Sequence, residues 1–496
     1  MHGYGQSDGP VVPANPLNKA SATEVGEERG PAKGNTDSET PAGRSAGDQV
    51  SNGLGRVREV ARRDKRARFT ALLHHVSLGR LRRAYGDVNP QASPGVDRVT
   101  WQEYGQRLET NLEDLHTRVQ QGRYRAVPAR RAYIPKADGT LRPLGIASLE
   151  DKIVQRAVVE VLNAVYEEDF KGFSYGFRPG RGPHQALDAL AVGITDRNVN
   201  WILDVDVRDF FGSLDHDWLR TFLRHRIADP RVLRLIDRWL AVGVVEDGQW
   251  QASERGSPQG ASLSPLLANV YLHYVFDVWA DHWRKTRAGG DVIICRFADD
   301  FVVGFQHEQE ARQFLADLRE RFTRFGLVLH PEKTRLIEFG RHAAHRRARR
   351  GDGKPDTFDF LGFTHICAKS RNGGKFWVKR ITIARRMRTK LHQLKDELGR
   401  RRHLSIREQG MWLRRVVQGH LNYYAVPGNW YAVRQFRSQL NRHWLRSLRQ
   451  RSQRGRRLTW AKMNRYVDRW IPPVRIVHPF PNVRFAARTQ GRSPVR

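Results

Sequence analysis

Apolar and polar positions alternate along this chain with two different periods. "DKIVQRAVVEVLNAVYEEDF" predicts a buried helix, "WILDVDV" a strand, and "HDWLRTFLRHRI" the helix after it. "SPLLANVYLHYVFDVWADHW" predicts a long apolar helix, and "DVIICRFADDFVVGF" two apolar strands meeting at a turn. "EQEARQFLADLRERFTRFG" is an amphipathic helix stopped by Gly326. Upstream, "RRAYIPKADGTLRPLGI" predicts a hairpin turning at "ADGT". From Val57 to Tyr85, Phe69, Leu72, Leu73, Val76 and Leu81 recur at roughly helical spacing on a basic background. The mixed order, with an antiparallel hairpin at its centre, predicts an α+β fold. After Phe363 the pattern becomes basic and helical in "ITIARRMRTKLHQLKDELGRRR" and "SIREQGMWLRRVVQGHLNYYAV". Arg/Trp/Tyr-rich segments and a Pro-rich arm, "WIPPVRIVHPFPNVRF", follow. Residues 1–55 are rich in Gly, Pro, Ser, Asn and Asp and predict a disordered tail.

Charge changes this picture most. The chain carries 86 Lys+Arg against 52 Asp+Glu, a net +34. Residues 371–496 hold 32 of the cations and only 4 of the acids. A positive field concentrated in the last quarter of a chain predicts a polyanionic partner, nucleic acid first. No apolar run approaches the roughly 18 residues of a membrane span. Two cysteines, Cys295 and Cys367, each in apolar context, suit core packing in a reducing compartment and cannot build a Cys-rich zinc site.

The candidate chemistry is acidic. Asp299 and Asp300 stand side by side inside an apolar run, where adjacent carboxylates repel and burial is costly. A hairpin turn is the plain reading; a divalent-metal site is the sharper one, since a cation removes the repulsion. Asp204 and Asp206 share one face of the "WILDVDV" strand. Either of them, beside Asp299 and Asp300, would complete a hard-oxygen site for Mg²⁺, with Mn²⁺ as the alternative. Such a site suits two-metal phosphoryl transfer. "ERGSPQGASLSPLL" sets Gln259 between glycines before a helix, able to lie against a base and sugar or simply to form a loop. Lys136 and Arg142 flank the "ADGT" turn, as a triphosphate clamp or as two solvated charges.

"SPGVDRVT", "KADGTLRPLGI", "SYGFRPGRG", "DVDVRDFF", "GSPQGASLSPLLANVYL", "RFADDF", "LHPEKT" and "FDFLGF" occur in this order. Together they resemble the successive blocks of the reverse transcriptases encoded by group II introns, and "VVQGHLNYYAVPGN" resembles that family's maturase domain. The resemblance runs from about Val57 to the C-terminus. It implies a right-hand polymerase, with fingers and palm over 93–365 after an N-terminal extension at 56–92. An α-helical thumb or maturase domain would occupy 366–440, and a basic DNA-binding tail 441–496. It implies Asp206, Asp299 and Asp300 as catalytic metal ligands, with Asp204 in a supporting place. It implies Phe211 as an aromatic under the nucleotide sugar; Lys136, Arg142 and Gln259 stand as substrate-binding candidates on their own chemistry. The family's usual Tyr-Ala-Asp-Asp turn has Phe297 at its first position here, and Gly212 stands where many relatives have Asp.

The function implied is RNA-directed DNA polymerisation together with binding of the group II intron RNA to assist splicing, and copying of that RNA into DNA during intron mobility. The partners implied are intron RNA, DNA target and primer, and dNTPs, with no membrane, in a bacterial cytoplasm near the nucleoid; oligomeric state is left open. No cysteine follows Cys367, so the resemblance is to members lacking the Cys/His nuclease. A host-adopted reverse transcriptase in repair or phage defence, or a splicing factor without polymerase activity, are the alternatives.

Overall fold

The computed structural model describes residues 47–489, apart from 136–140, 247, 253–254, 258–259 and 371–372. Eleven strands are described: β1 (Ala129–Pro135), β2 (Leu141–Ile146), β3 (Trp201–Val205), β4 (Val244–Glu246), β5 (Gln249–Gln251), β6 (Val292–Phe297), β7 (Asp300–Phe305), β8 (Arg335–Glu338), β9 (Phe358–Phe360), β10 (Phe363–Lys369) and β11 (Phe376–Thr382). They form three sheets, ordered β2-β1-β4-β5, β6-β7-β3-β8 and β11-β10-β9. Helices separate them, so the fold is mixed α and β.

The β6-β7-β3-β8 sheet is the frame of the molecule, and strand alternation sorts its two faces. Leu203, Val205, Ile294, Phe301, Val303 and Phe305 point into the largest core, beneath helices Leu149–Asp169, Ser264–Leu272 and Glu308–Arg324. Ile202, Ile293, Cys295, Phe297, Val302 and Ile337 point the other way. They meet helix Pro183–Asp196 and the β9-β10-β11 sheet in a second core. β3 and β7 are antiparallel, Trp201 opposite Phe305 through Val205 opposite Phe301. Asp204 therefore lies on the second face, opposite Val302 on β7 and Arg335 on β8.

A third core fills a bundle of helices Ala384–Arg400, Ile406–Tyr424, Trp430–Arg449 and Trp460–Trp470. At its centre Gln409, wholly buried, accepts from the Trp444 indole at 3.0 Å and donates to the Arg401 carbonyl at 2.9 Å. Among the described residues no helix is long and apolar enough to cross a membrane.

The structure corrects several expectations from sequence. Helix Gly47–Arg63 begins inside the stretch expected to be disordered; residues 1–46 lie outside the described ones. Phe69 to Leu81 is not one helix. Phe69 is drawn into a bridge with Ile227, a short 3-10 turn follows at Leu73–His75, and Ser77 caps a new helix at Leu78. The long apolar helix from Ser264 is interrupted by a π segment at His273–Asp277. Two expected boundaries cut through elements: 365/366 falls within β10, and 440/441 within helix Trp430–Arg449. The first fails because β10 and β11 complete the core on the second face of the central sheet.

Candidate active site

Asp206 is the first residue after β3. The β3–β7 register, continued by one position, sets it opposite Asp300, so Asp204, Asp206 and Asp300 all share the second face. Asp299 forms, with Ala298, the two-residue turn between β6 and β7, where Phe297 pairs with Asp300. Ala298 takes φ 58°, a left-handed value that hairpin turns of this length demand and that is costly for a residue bearing a Cβ. The turn is held from behind. Arg296 donates to the Ala298 carbonyl at 2.9 Å and to Asn269 Oδ1 at 2.9 Å, and forks onto Asp277 at 2.7 and 2.6 Å. Asn269 in turn donates to the Gly176 carbonyl at 2.8 Å. Gly176 must be glycine: a Cβ there would lie 2.3 Å from the Ala298 nitrogen. "FSYGF" thus extends the sheet, with Tyr175 N donating to the Arg296 carbonyl. Phe297 is buried in the second core, near Phe177. A ring without a hydroxyl is well suited to that apolar place.

The "LHPEKTR" segment grips Asp206. His330 N donates to the Asp206 carbonyl at 2.8 Å, Thr334 Oγ1 to the same oxygen at 3.3 Å, and Lys333 Nζ stands 3.9 Å from its carboxylate. Arg335 bonds Asp204 at 3.4 Å.

The electrostatics are those of crowded acids. Burial first, and then Asp204, Asp299 and Asp206, push the Asp300 carboxyl well above the carboxylate range, with Arg386 opposing. Asp204 is pushed up to about 7 by burial, against the pull of Arg335. Burial also raises Asp206, against Lys333 and His330. Asp204 is among the charges that raise Asp300, and it shares the same face of the sheet. Among the described residues no three Asp, Glu, His or Cys side chains close round a point where one ion would sit. The donor chemistry nonetheless fits a hard divalent cation: anionic oxygens, mutually repelling, at the end of a sheet.

Phe211 lies in a four-residue helix, Phe210–Ser213, entered through Asp209 at φ 41°. On a helix neighbouring residues diverge by about 100°, and Phe210 is buried while Phe211 is half-buried. Ser257 N donates to the Phe211 carbonyl at 2.9 Å, tying this turn to the glycine-rich loop. The close approach requires glycine at 256: at φ 82° a Cβ there would lie 2.8 Å from the Phe211 carbonyl oxygen and 3.0 Å from the Gly212 Cα, whereas a Cβ on Gly212 would meet only the carboxylate end of Asp209. Arg142 lies on β2 opposite Ile134. Its side chain, and Lys136 and Gln259 entirely, lie outside the described residues.

Sequence reasoning missed the Arg296–Asp277–Asn269 support. Its signal was a lone Arg in "VIICRF" and a lone Asp in "YVFDVW", two charges of opposite sign in apolar runs. It also missed that the C-terminal bundle reaches this site. Arg386, in the first turn of helix Ala384–Arg400, acts on Asp300. Tyr423 feels the same carboxylate and donates to the Leu361 carbonyl at 2.8 Å, in the β9–β10 turn.

Comparison with known proteins gives this fold its family. Residues 134–365, which hold both candidate carboxylate clusters, match the family described as reverse transcriptase (RNA-dependent DNA polymerase). The chain is similar to Protein YkfC of Escherichia coli, 33% identical over 315 residues, covering 57% of this chain and 78% of that protein. It is similar to the group II intron-encoded protein LtrA of Lactococcus lactis, 36% identical over 166 residues, 33% of this chain and 27% of that protein. It also matches nuclear intron maturase 3, mitochondrial, of Arabidopsis thaliana, 29% identical over 165 residues, 33% of this chain and 22% of the relative. The chain belongs to the reverse transcriptase family, the RNA-directed DNA polymerases. Within that family its kinship is with the group II intron-encoded reverse transcriptases and maturases.

Proposed function

We propose that this chain copies RNA into DNA at the Asp206–Asp299–Asp300 cluster, and that it binds group II intron RNA through its basic C-terminal bundle to assist splicing and mobility. The observation that carries the reading is the register that brings Asp206 opposite Asp300, with Asp299 on the adjoining turn, inside the family's matched span. Asp206, Asp299 and Asp300 would hold Mg²⁺ or Mn²⁺, which when bound favours the 3′-hydroxyl as a nucleophile and neutralises the departing pyrophosphate. The chain's own part is to hold these acids against their mutual repulsion. Arg296 and Asn269 fix the turn, and Arg335 screens Asp204. Arg142, whose backbone lies on β2, and Lys136 would clamp the triphosphate, and Gln259 would lie against base and sugar. Phe211 would exclude a 2′-hydroxyl and so favour dNTPs. The β2-β1-β4-β5 sheet serves as fingers, the β6-β7-β3-β8 sheet as palm, and the C-terminal bundle as thumb.

RNA-templated primer extension with dNTPs and Mg²⁺ tests the polymerase. Extension by the intact chain, abolished in Asp299→Asn, is the expected result; no extension at any divalent concentration would sink the reading. Binding to intron RNA should weaken steeply with salt, with a log–log slope of about −0.7 for each single-strand phosphate contact. Splicing should survive Asp299→Asn, since in this reading the basic side chains of the bundle grip the RNA and the acids take no part.

A further inference from the structure

Helix Pro183–Asp196 packs on the same face of the central sheet as the acidic cluster, with Cys295 Sγ 3.4 Å from the Ala186 carbonyl. Asp188, on this helix, is 1% exposed and receives two guanidiniums from distant parts of the chain. Arg380 of β11, also 1% exposed, donates to Oδ1 at 2.9 Å. Arg484, from the C-terminal helix Pro481–Thr489, donates to Oδ2. The segment leading to Arg484 is bound to the bundle as well. His478 Nε2 lies 2.6 Å from the Asn422 carbonyl, and Nδ1 lies 2.6 Å from Arg484 NH1. A carbonyl can only accept and a guanidinium can only donate. His478 is therefore neutral with its proton on Nε2, a link in a chain from Asn422 through Arg484 to Asp188. Its ring stacks on His184 of the palm helix at 4.0 Å, and Val477 N donates to the Ala425 carbonyl at 3.0 Å. Phe485 packs against the second core. The residues expected to form a basic DNA-binding tail thus include a segment that folds back and ties bundle to palm.

Both ends of this tie lead to the active site. Six residues after Arg380 comes Arg386, which acts on Asp300. One residue after Asn422 comes Tyr423, which bonds the β9–β10 turn. We propose that Asp188 and Arg484 are positioning residues: their ion pair clamps the C-terminal arm across palm and thumb, and so holds the thumb over the primer–template during successive additions. The inference rests on the polymerase reading above. The clamp is not on the reacting atoms, so it acts on retention of nucleic acid and not on chemistry. Asp188 itself is a poor first test, because removing it strands the buried Arg380 guanidinium as well as the part-exposed Arg484 and endangers the fold.

The test is Arg484→Gln and Arg484→Lys in the full chain, with primer extension under single-encounter conditions set by a nucleic-acid trap. For Arg484→Gln, dissociation per added nucleotide should rise about tenfold, equivalent to ~1.4 kcal/mol. The single-nucleotide kcat at saturating primer–template should stay unchanged. Arg484→Lys, which keeps the charge, should recover part of the product length. His478→Phe keeps the stacked ring and removes both hydrogen bonds, so it should act in the same direction and serves if Arg484→Gln does not fold. Product lengths equal to the parent's, or a kcat loss matching the length loss, would overturn the clamp. A parent chain that makes no DNA would instead overturn the polymerase reading on which the clamp rests.

Discussion

Arg296 and Asp277 face each other through two hydrogen bonds of 2.7 and 2.6 Å, both side chains fully buried, directly behind the turn that carries Asp299. The π segment ends at Asp277, and the same guanidinium also holds the Ala298 carbonyl. Breaking one partner of a buried pair leaves an uncompensated charge, which costs about 3–5 kcal/mol. Asp277→Ala should therefore lower stability by that amount in urea unfolding. It should also reduce primer extension in the molecules that remain folded, because the Ala298 turn loses its support. Arg296→Met combined with Asp277→Leu should be markedly more stable than either single change. Equal stability of single and double variants would show that the pair is not coupled.

The acids repel one another, and this has a stability consequence. Asp299→Asn and Asp300→Asn should abolish extension, because a neutral amide cannot bridge cations. Without divalent ions, Asp300→Asn should also unfold at higher urea than the parent, since burial and the charges of Asp204, Asp299 and Asp206 all disfavour its ionised form. An inactive variant that is less stable would mean that Asp300 is structural.

Much of this arrangement was legible in the sequence because the central sheet obeys simple rules. Period-2 alternation put Asp204 and Asp206 on one face, and the apolar runs around Asp299 and Asp300 announced the hairpin. What was not legible depended on distant pairing. Phe69 to Leu81 has helical spacing, yet the Ile227 bridge and the Ser77 cap break it into separate pieces. Arg484 and Asp188 lie 296 residues apart, and no local pattern links them. Charge summed over residues 371–496 suggested one basic tail. It could not show that Arg380 and Arg484 are turned inward onto a carboxylate.

The bundle should be acid-sensitive through His420. Burial, with Lys390 adding to it, lowers His420 to about 3, and its ring stacks on Phe436 at 3.6 Å. A histidine depressed in the folded state contributes its stability fully above its unfolded value of about 6.5. That contribution is lost as pH falls from there toward about 3. Each pH unit in this window removes up to ~1.4 kcal/mol for such a group. Urea midpoints between pH 7.5 and 5 should fall for the parent and fall less steeply for His420→Phe. The slope should not vanish, because burial also lowers His365 to about 3 and His273 to about 4. An unchanged slope would place the acid sensitivity outside the bundle.

Sugar selection separates the two neighbouring rings. Phe210 and Phe211 meet edge to face at 5.4 Å in the short helix that follows Asp206, but only Phe210 is fully buried. Phe211 is half-buried and its backbone is tied to Ser257 in the glycine-rich loop, so its ring is held in place and still has an open side. If the triphosphate is held at the proposed acidic site, a rigid ring beside it would occupy the space that a 2′-hydroxyl needs. Phe211→Val shortens that ring and leaves an apolar filler. It should raise rNTP incorporation relative to dNTP at least about tenfold, or roughly 1.4 kcal/mol of discrimination. Phe210→Val should leave sugar choice alone and instead lower stability, within the about 3–5 kcal/mol that truncating a core Phe to Ala costs. Single-nucleotide kinetics with matched bases and each sugar measure the first effect, and urea unfolding measures the second. If Phe211→Val folds, extends primers and still rejects rNTPs as the parent does, the gate lies elsewhere, and Phe211 is part of the wall that packs beside Phe210.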